Sequence, residues 1–178
     1  MIGVGCFLVA AVLVSLIEYV VHRGMHAGWI RGQRHADHHR EGWGQGFWPE
    51  LGAYLIPGWP LLLPPFLLGV EVGVGFGCGA VLYTVFMAYA HQLQHDNPAA
   101  CRWMRVPVHF VHHRDGMWHH NFGVTVDVWD RLFGTYRAVR YEPESSAGKG
   151  PFSIRWKRHA GPAPGGSRRP GQTSATRS

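Results

Sequence analysis

Two stretches of this chain are too apolar to be left in water, and they decide what the sequence can become. Ile2 to Val21 is a run of twenty residues interrupted only by Ser15 and Glu18. At about 1.5 Å per helical residue, such a run crosses a hydrocarbon core of roughly 30 Å. It has no basic n-region before it and no A-x-A cleavage site after it, so it reads as a spanning helix rather than a removable signal segment. Leu51 to Ala90 is a second apolar stretch, forty residues with one charge, Glu71. That length makes two crossings, with the glycine-rich GVEVGVGFG around Glu71 as the expected turn. Pro57, Pro60, Pro64 and Pro65 should shorten or break the first arm. The expected fold class is all-α: an integral membrane helical bundle with one N-terminal spanning helix, a helical hairpin, and cytoplasmic helices that carry the polar residues.

Charge sets the orientation. All 17 Lys and Arg lie at position 23 or later, and none falls between Glu41 and Cys101. Arg23, Arg31, Arg34 and Arg40 mark the loop before the hairpin, and everything after Cys101 is basic, so the positive-inside rule puts both regions in the cytoplasm. Residues 142–178 form a Gly-, Pro- and Ser-rich tail that holds Lys149, Arg155, Lys157, Arg158, Arg168, Arg169 and Arg177. It lacks the apolar surface to offset ordering entropy and is expected to be mostly disordered, suited to anionic lipid headgroups and not to nucleic acid. Cys6, Cys78 and Cys101 form no C-x-x-C pair, which argues against a disulfide scaffold or a thiolate metal site.

Histidine carries the chemistry. Twelve of the 13 histidines fall into clusters: His22 and His26; His35, His38 and His39; His91 and His95; His109, His112 and His113; His119 and His120. Spacings of three and four put side chains on one helix face, so each cluster can aim its imidazoles at one point. Any one such pair is more often a surface or switch feature. Several combs in one compartment are different, because protonating them together would be strongly repulsive while a cation satisfies neutral rings at once. Ten or more nitrogens exceed one ion's needs, so two ions are expected. His22-Arg-Gly-Met-His26 lacks the glutamate of a zinc-peptidase helix, which counts against metal-dependent hydrolysis. Imidazole also accepts zinc, copper or nickel, so the spacing does not choose the element.

Glu18 lies one turn before His22, and it reads either as an acceptor for an imidazole N–H or as a carboxylate snorkelling to the interface. Asp37, Asp96 and Asp115 read first as solvated acids. Trp29, Trp43, Trp48, Trp59, Trp103 and Trp118 flank the apolar segments as interfacial aromatics do.

The order of clusters resembles a known family. His109-Phe-Val-His112-His113, then His119-His120-Asn121-Phe122-Gly123-Val124-Thr125, then Trp129-Asp130-Arg131-Leu132-Phe133-Gly134-Thr135-Tyr136 is similar to the fatty acid hydroxylase and sterol desaturase superfamily. The resemblance runs from about Glu18 to Arg137 and makes residues 1–141 the membrane-embedded catalytic domain. It implies a membrane-bound, non-haem, di-iron enzyme that uses O2 as co-substrate to hydroxylate or desaturate a lipid. It also implies metal ligands at His22, His26, His35, His38, His39, His91, His95, His109, His112 and His113, with His119, His120 and Glu18 as additional ligands or as groups orienting them. Two iron ions are the implied cofactors, with zinc as the substitute that purified protein can carry. Asp127 and Asp130 are expected to pair with Arg131 and Arg137.

No haem-binding His-Pro-Gly-Gly motif is present, so electrons are expected from a separate donor such as ferredoxin, or cytochrome b5 with its reductase. Arg102, Arg105 and Arg114 are the expected docking residues. A fatty acyl chain ranks first as substrate, a carotenoid second and a sterol third. A non-catalytic, histidine-rich metal-binding membrane protein is the alternative from another class.

Overall fold

The computed structural model describes residues 1–42, 45–143 and 150–157. Among them there is no strand; the fold is helical throughout. Its elements are α1 (Ile2–His26), α2 (Gly32–Glu41), α3 (Phe47–Gly58), α4 (Val70–Asp96), α5 (Val108–Arg114) and α6 (Val128–Leu132), with 3-10 turns at Trp59–Leu62, Pro64–Leu68 and Pro98–Ala100. Three segments, Ile2–His26, Phe47–Leu68 and Val70–Asp96, are long and apolar enough to cross a membrane. One N-terminal span followed by a hairpin is the arrangement expected from the apolar runs. The result is a helical membrane bundle.

Outward-facing Val4, Leu8, Val9, Val12, Leu13, Ile17 and Val20 cover α1, a surface stable only against hydrocarbon. The helix ends where the sequence tells it to. Gly28 takes a φ of 78°, its N–H bonds the Met25 carbonyl at 3.1 Å, and the Trp29 N–H bonds the Gly24 carbonyl at 2.9 Å. That pair of bonds caps the helix C-terminus, so α1 stops directly after the turn that carries His22 and His26.

The glycine-rich run near Glu71 is helix, not turn. Gly69, at φ 126°, ends the proline-rich turns, and α4 begins at Val70. The glycines serve a different need, the close approach of α1. A Cβ on Gly75 would lie 2.4 Å from the Gly3 carbonyl oxygen, and one on Gly79 would lie 2.3 Å from that of Phe7. Small residues four apart let two membrane helices touch backbone to backbone. At the same end, the Glu71 carboxylate accepts the Gly3 N–H at 3.0 Å. Pro57 is accommodated inside α3, and the other prolines convert the rest of the first arm into 3-10 turns.

Part of the basic tail is folded. Ile154 is buried with Phe47, Ala88, Leu93 and Cys101. The Arg155 and Trp156 carbonyls accept the N–H groups of Phe47 and Trp48 at 2.8 and 3.1 Å, and Arg155 pairs with Asp96 at 2.7 Å. Phe152, Ile154 and Trp156 supply the apolar surface that the tail's overall composition hid. Residues 144–149 and 158–178, which carry the rest of the tail expectation, lie outside the described residues.

Candidate metal centre

Both α1 and α4 carry histidine in their final turns, and α2 and α5 bring their own over the same end of the bundle. Gln94, fully buried on α4, seats α5: its Oε1 accepts the N–H groups of His109 and Phe110 at 3.0 and 3.4 Å, and its Nε2 donates to the Val124 carbonyl at 2.6 Å. This side chain satisfies amides that the start of a helix leaves open.

Two groups of nitrogen donors result. His22, His26, His35, His39 and His112 form one; His38, His91, His95 and His109 form the other, and within each the ligand atoms lie within 4.8 Å of one another. His113 lies between them, its ring stacked 3.8 Å from that of His39 and edge-on to that of His95 at 4.5 Å. All ten histidines named as ligands by the resemblance therefore meet at one end of the bundle. His119 and His120 join neither group. His119 is exposed, and His120 contributes its backbone carbonyl instead of its ring.

The protons show that these rings suit cations. His22 Nδ1 donates to the Phe122 carbonyl at 2.5 Å, and His112 Nδ1 donates to the His120 carbonyl at 2.7 Å. A carbonyl only accepts, so each ring carries its proton at Nδ1 and, when neutral, turns a bare lone pair at Nε2 toward the group. In the first group six Nε2 to Nε2 contacts run from 2.8 to 3.3 Å. Only His26, His35 and His39 remain able to place a proton at Nε2, and each proton serves one contact, so at least half of those contacts are left without a hydrogen bond, polar atom against like polar atom. A central cation removes the conflict, because metal–nitrogen bonds of about 2.0–2.1 Å set neighbouring ligands roughly 3.0–3.4 Å apart. In the second group His95 Nε2 stands 3.2 Å from His38 Nε2 and 3.2 Å from His109 Nε2. Buried His113 Nε2 has no hydrogen-bond partner among the described residues. The donors present fit two ions.

Burial also keeps the rings unprotonated. It pushes His35 down to about 2 and His112 to about 4, and it holds His39, His109 and His113 well below the ordinary histidine value. The neighbouring imidazoles add to this, since a charge on one opposes a charge on the next.

Glu18 is buried, as a partnered carboxylate in a spanning helix must be, but it touches no imidazole. Its Oε1 accepts the N–H groups of Val124 and Thr125 at 2.7 and 3.1 Å, and its Oε2 accepts the Thr125 hydroxyl at 2.7 Å. The N–H groups of Phe122 and Gly123 go to Asp130 at 2.8 and 2.7 Å. Two carboxylates thus fix the loop whose carbonyls orient His22 and His112, with Asn121 held at φ 60° between those carbonyls. Gly123 is required there, since a Cβ would lie 2.1 Å from the Val126 carbonyl oxygen. Asp127 pairs with Arg131 as expected; Asp130 does not, because the loop amides and Thr135 claim it.

Asp37 binds Gln33 and Arg40, Asp96 binds Gln92 and Arg155, and Asp115 binds Arg114. Arg102 and Arg105 are exposed, whereas the charge of exposed Arg114 is engaged by Asp115. Two residues close to the centre escaped the sequence reading. Trp118 lies 4.4 Å from the His26 ring and donates to the His26 carbonyl at 3.2 Å, so it covers the first group. Glu50 Oε1 lies 3.4 Å from His91 Nδ1. Nothing in local spacing marks either of them.

Fold and site together define a helical membrane protein with two histidine groups able to hold cations at one end. The chain matches the fatty acid hydroxylase family over residues 7–135, most of its length, and belongs to that family. It is also 30% identical over 135 residues to the Delta(7)-sterol 5(6)-desaturase of Leptosphaeria maculans, an overlap of 69% of this chain and 34% of that protein. The chain thus spans about a third of that relative's length. No solved structure matches it.

Proposed function

We propose that this protein is a membrane-bound oxygenase that hydroxylates or desaturates an alkyl C–H position of a lipid, a fatty acyl chain first among substrates. In this reading the two histidine groups hold two iron ions. The observation that carries it is the pairing of two imidazole groups, spaced for two cations, directly beyond helices clad in lipid-facing side chains. When bound, the ions supply O2 reduction: in hydroxylation one oxygen atom enters the C–H bond and the other leaves as water, with two electrons and two protons from a donor.

The chain's own residues create the conditions for that chemistry. Burial keeps the imidazoles neutral and so available as ligands. The Phe122 and His120 carbonyls fix the proton at Nδ1 of His22 and His112, which commits Nε2 to the ion. Phe122 stands against the rings of His22, His26 and His112, and Trp118 against those of His26 and His39, so apolar surface lines one side of the first group and limits the approach of water there. Leu61, Leu63, Phe66, Leu67 and Leu68 on the hairpin face the hydrocarbon from which an acyl chain would arrive. A separate acidic electron donor, a ferredoxin or cytochrome b5, would dock at the exposed Arg102 and Arg105 with the histidine end in the cytoplasm.

The test is expression of the full chain in a lipid-producing host, with metal analysis of the detergent-purified protein and mass spectrometry of extracted acyl lipids, carotenoids and sterols. Two iron equivalents, together with a lipid gaining one oxygen or losing two hydrogens, are expected, and His112→Ala should abolish the product. Zinc with no altered lipid, the same for wild type and His112→Ala, would instead mark a non-catalytic metal-binding protein.

A further inference from the structure

The two histidine groups differ in what stands behind them. In the first, His22 and His112 give their Nδ1 protons to neutral backbone carbonyls. In the second, His91 Nδ1 faces a carboxylate: Glu50 Oε1 lies 3.4 Å away, with His91 6% and Glu50 17% exposed. The Tyr54 hydroxyl, one turn along α3, donates to the same Glu50 oxygen. Neither Glu50 nor Tyr54 belongs to any histidine cluster, and Glu50 comes from the proline-rich arm of the hairpin.

That arm is clamped where Glu50 needs it. The Gly46 N–H donates to Gln92 Oε1 at 2.6 Å, and the Phe47 and Trp48 N–H groups go to Arg155 and Trp156. Gln92 Nε2 and the Arg155 guanidinium both hold Asp96, at 2.7 Å each. The start of α3 is thereby tied to the last turns of α4, the same turns that carry His91 and His95.

We propose that Glu50, buttressed by Tyr54, is a positioning residue that acts through His91 and makes the second ion position different from the first; this rests on the two-ion reading above. His91 Nδ1 makes no hydrogen bond, and the carboxylate 3.4 Å away favours by its charge the tautomer that carries the proton on Nδ1 and leaves Nε2 as the donor. Its negative charge raises the basicity of that ligand and offsets cationic charge at the second group, a contribution the carbonyls behind the first group do not make. The second ion is accordingly bound more tightly than its four imidazoles alone would hold it.

Cobalt(II) titration of the metal-free full chain in detergent, against a competing chelator and read by visible absorption, tests this without reference to turnover. Wild type should take two equivalents. Glu50→Gln should weaken one of them by about 10- to 100-fold and alter its absorption band while leaving the other unchanged. Glu50→Asp should recover part of the loss, Tyr54→Phe should move the same equivalent by less, and His26→Ala should weaken the other equivalent. Wild-type binding of both equivalents by Glu50→Gln, or equal weakening of both, would overturn the inference. Failure of wild type to take a second equivalent would overturn it together with the two-ion reading. Two wild-type equivalents and a selective Glu50→Gln effect, with no lipid oxidised in the expression experiment, would support this inference and count against the oxygenase.

Discussion

Removing the Glu18 carboxylate would leave the Val124 and Thr125 amides buried without a partner and the Thr125 hydroxyl with only that of Tyr83. Each such orphan costs about 1–3 kcal/mol, so Glu18→Ala should lower the thermal midpoint of the detergent-purified protein markedly. It should also lower metal content, because the loop held by Glu18 aims His22 and His112. Glu18→Gln keeps one acceptor oxygen and should lose less on both counts; equal losses for the two variants would show that the charge, not the acceptor geometry, matters. At this scale the clustered histidines were legible and the groups that support them were not. Helical spacing lines up Glu18, His22 and His26, and that alignment points the carboxylate at imidazoles. Its real partners, Val124 and Thr125, sit more than a hundred residues along the chain, beyond any local periodicity. Trp118 was hidden for the opposite reason, since an aromatic near a membrane surface already has a sufficient explanation.

Between elements, the closest contact is where α1 and α4 meet through Gly3, Phe7, Gly75 and Gly79. Gly79→Leu would place a side chain where the Phe7 carbonyl oxygen lies, and the helices must part to admit it. Overpacking of this kind costs about 1–3 kcal/mol, and here the displacement would extend to His22 and His91 at the other end of the same two helices. A lower thermal midpoint together with loss of bound metal is therefore expected, although no ligand is touched; full metal content at a normal midpoint would count against the contact. Three crossings could be read from apolar length alone. The role of the glycines could not, because a turn and a backbone contact both require the missing Cβ. The fold of residues 150–157 was hidden in the same way: tail composition averages away Ile154, which fills a gap that exists only once α3 and α4 have paired, and Phe152 and Trp156, whose exposed rings lie against Tyr89 and Phe47.

For the whole molecule, the buried imidazoles set an acid limit. An exposed histidine in the unfolded chain titrates near 6.5, whereas in the fold His112 is held at about 4 and His35 at about 2. Between those values the unfolded chain takes up protons that the folded one refuses, so their contribution is complete above pH 6.5 and erodes as pH falls through that window. The metal-free protein should show a level thermal midpoint from about pH 7 to 8 and a steady decline below about 6.5; a profile flat to pH 5 would mean the rings are not buried as neutral groups. The way the ligands are dealt out along the sequence has a consequence for biosynthesis. His22, His26, His35 and His39, four of the five rings of the first group, leave the ribosome before any of the hairpin, while the second group has only His38 until α4 is almost finished. The two positions are therefore completed at different moments in the life of each molecule, and a cation that arrives early finds only one of them within reach.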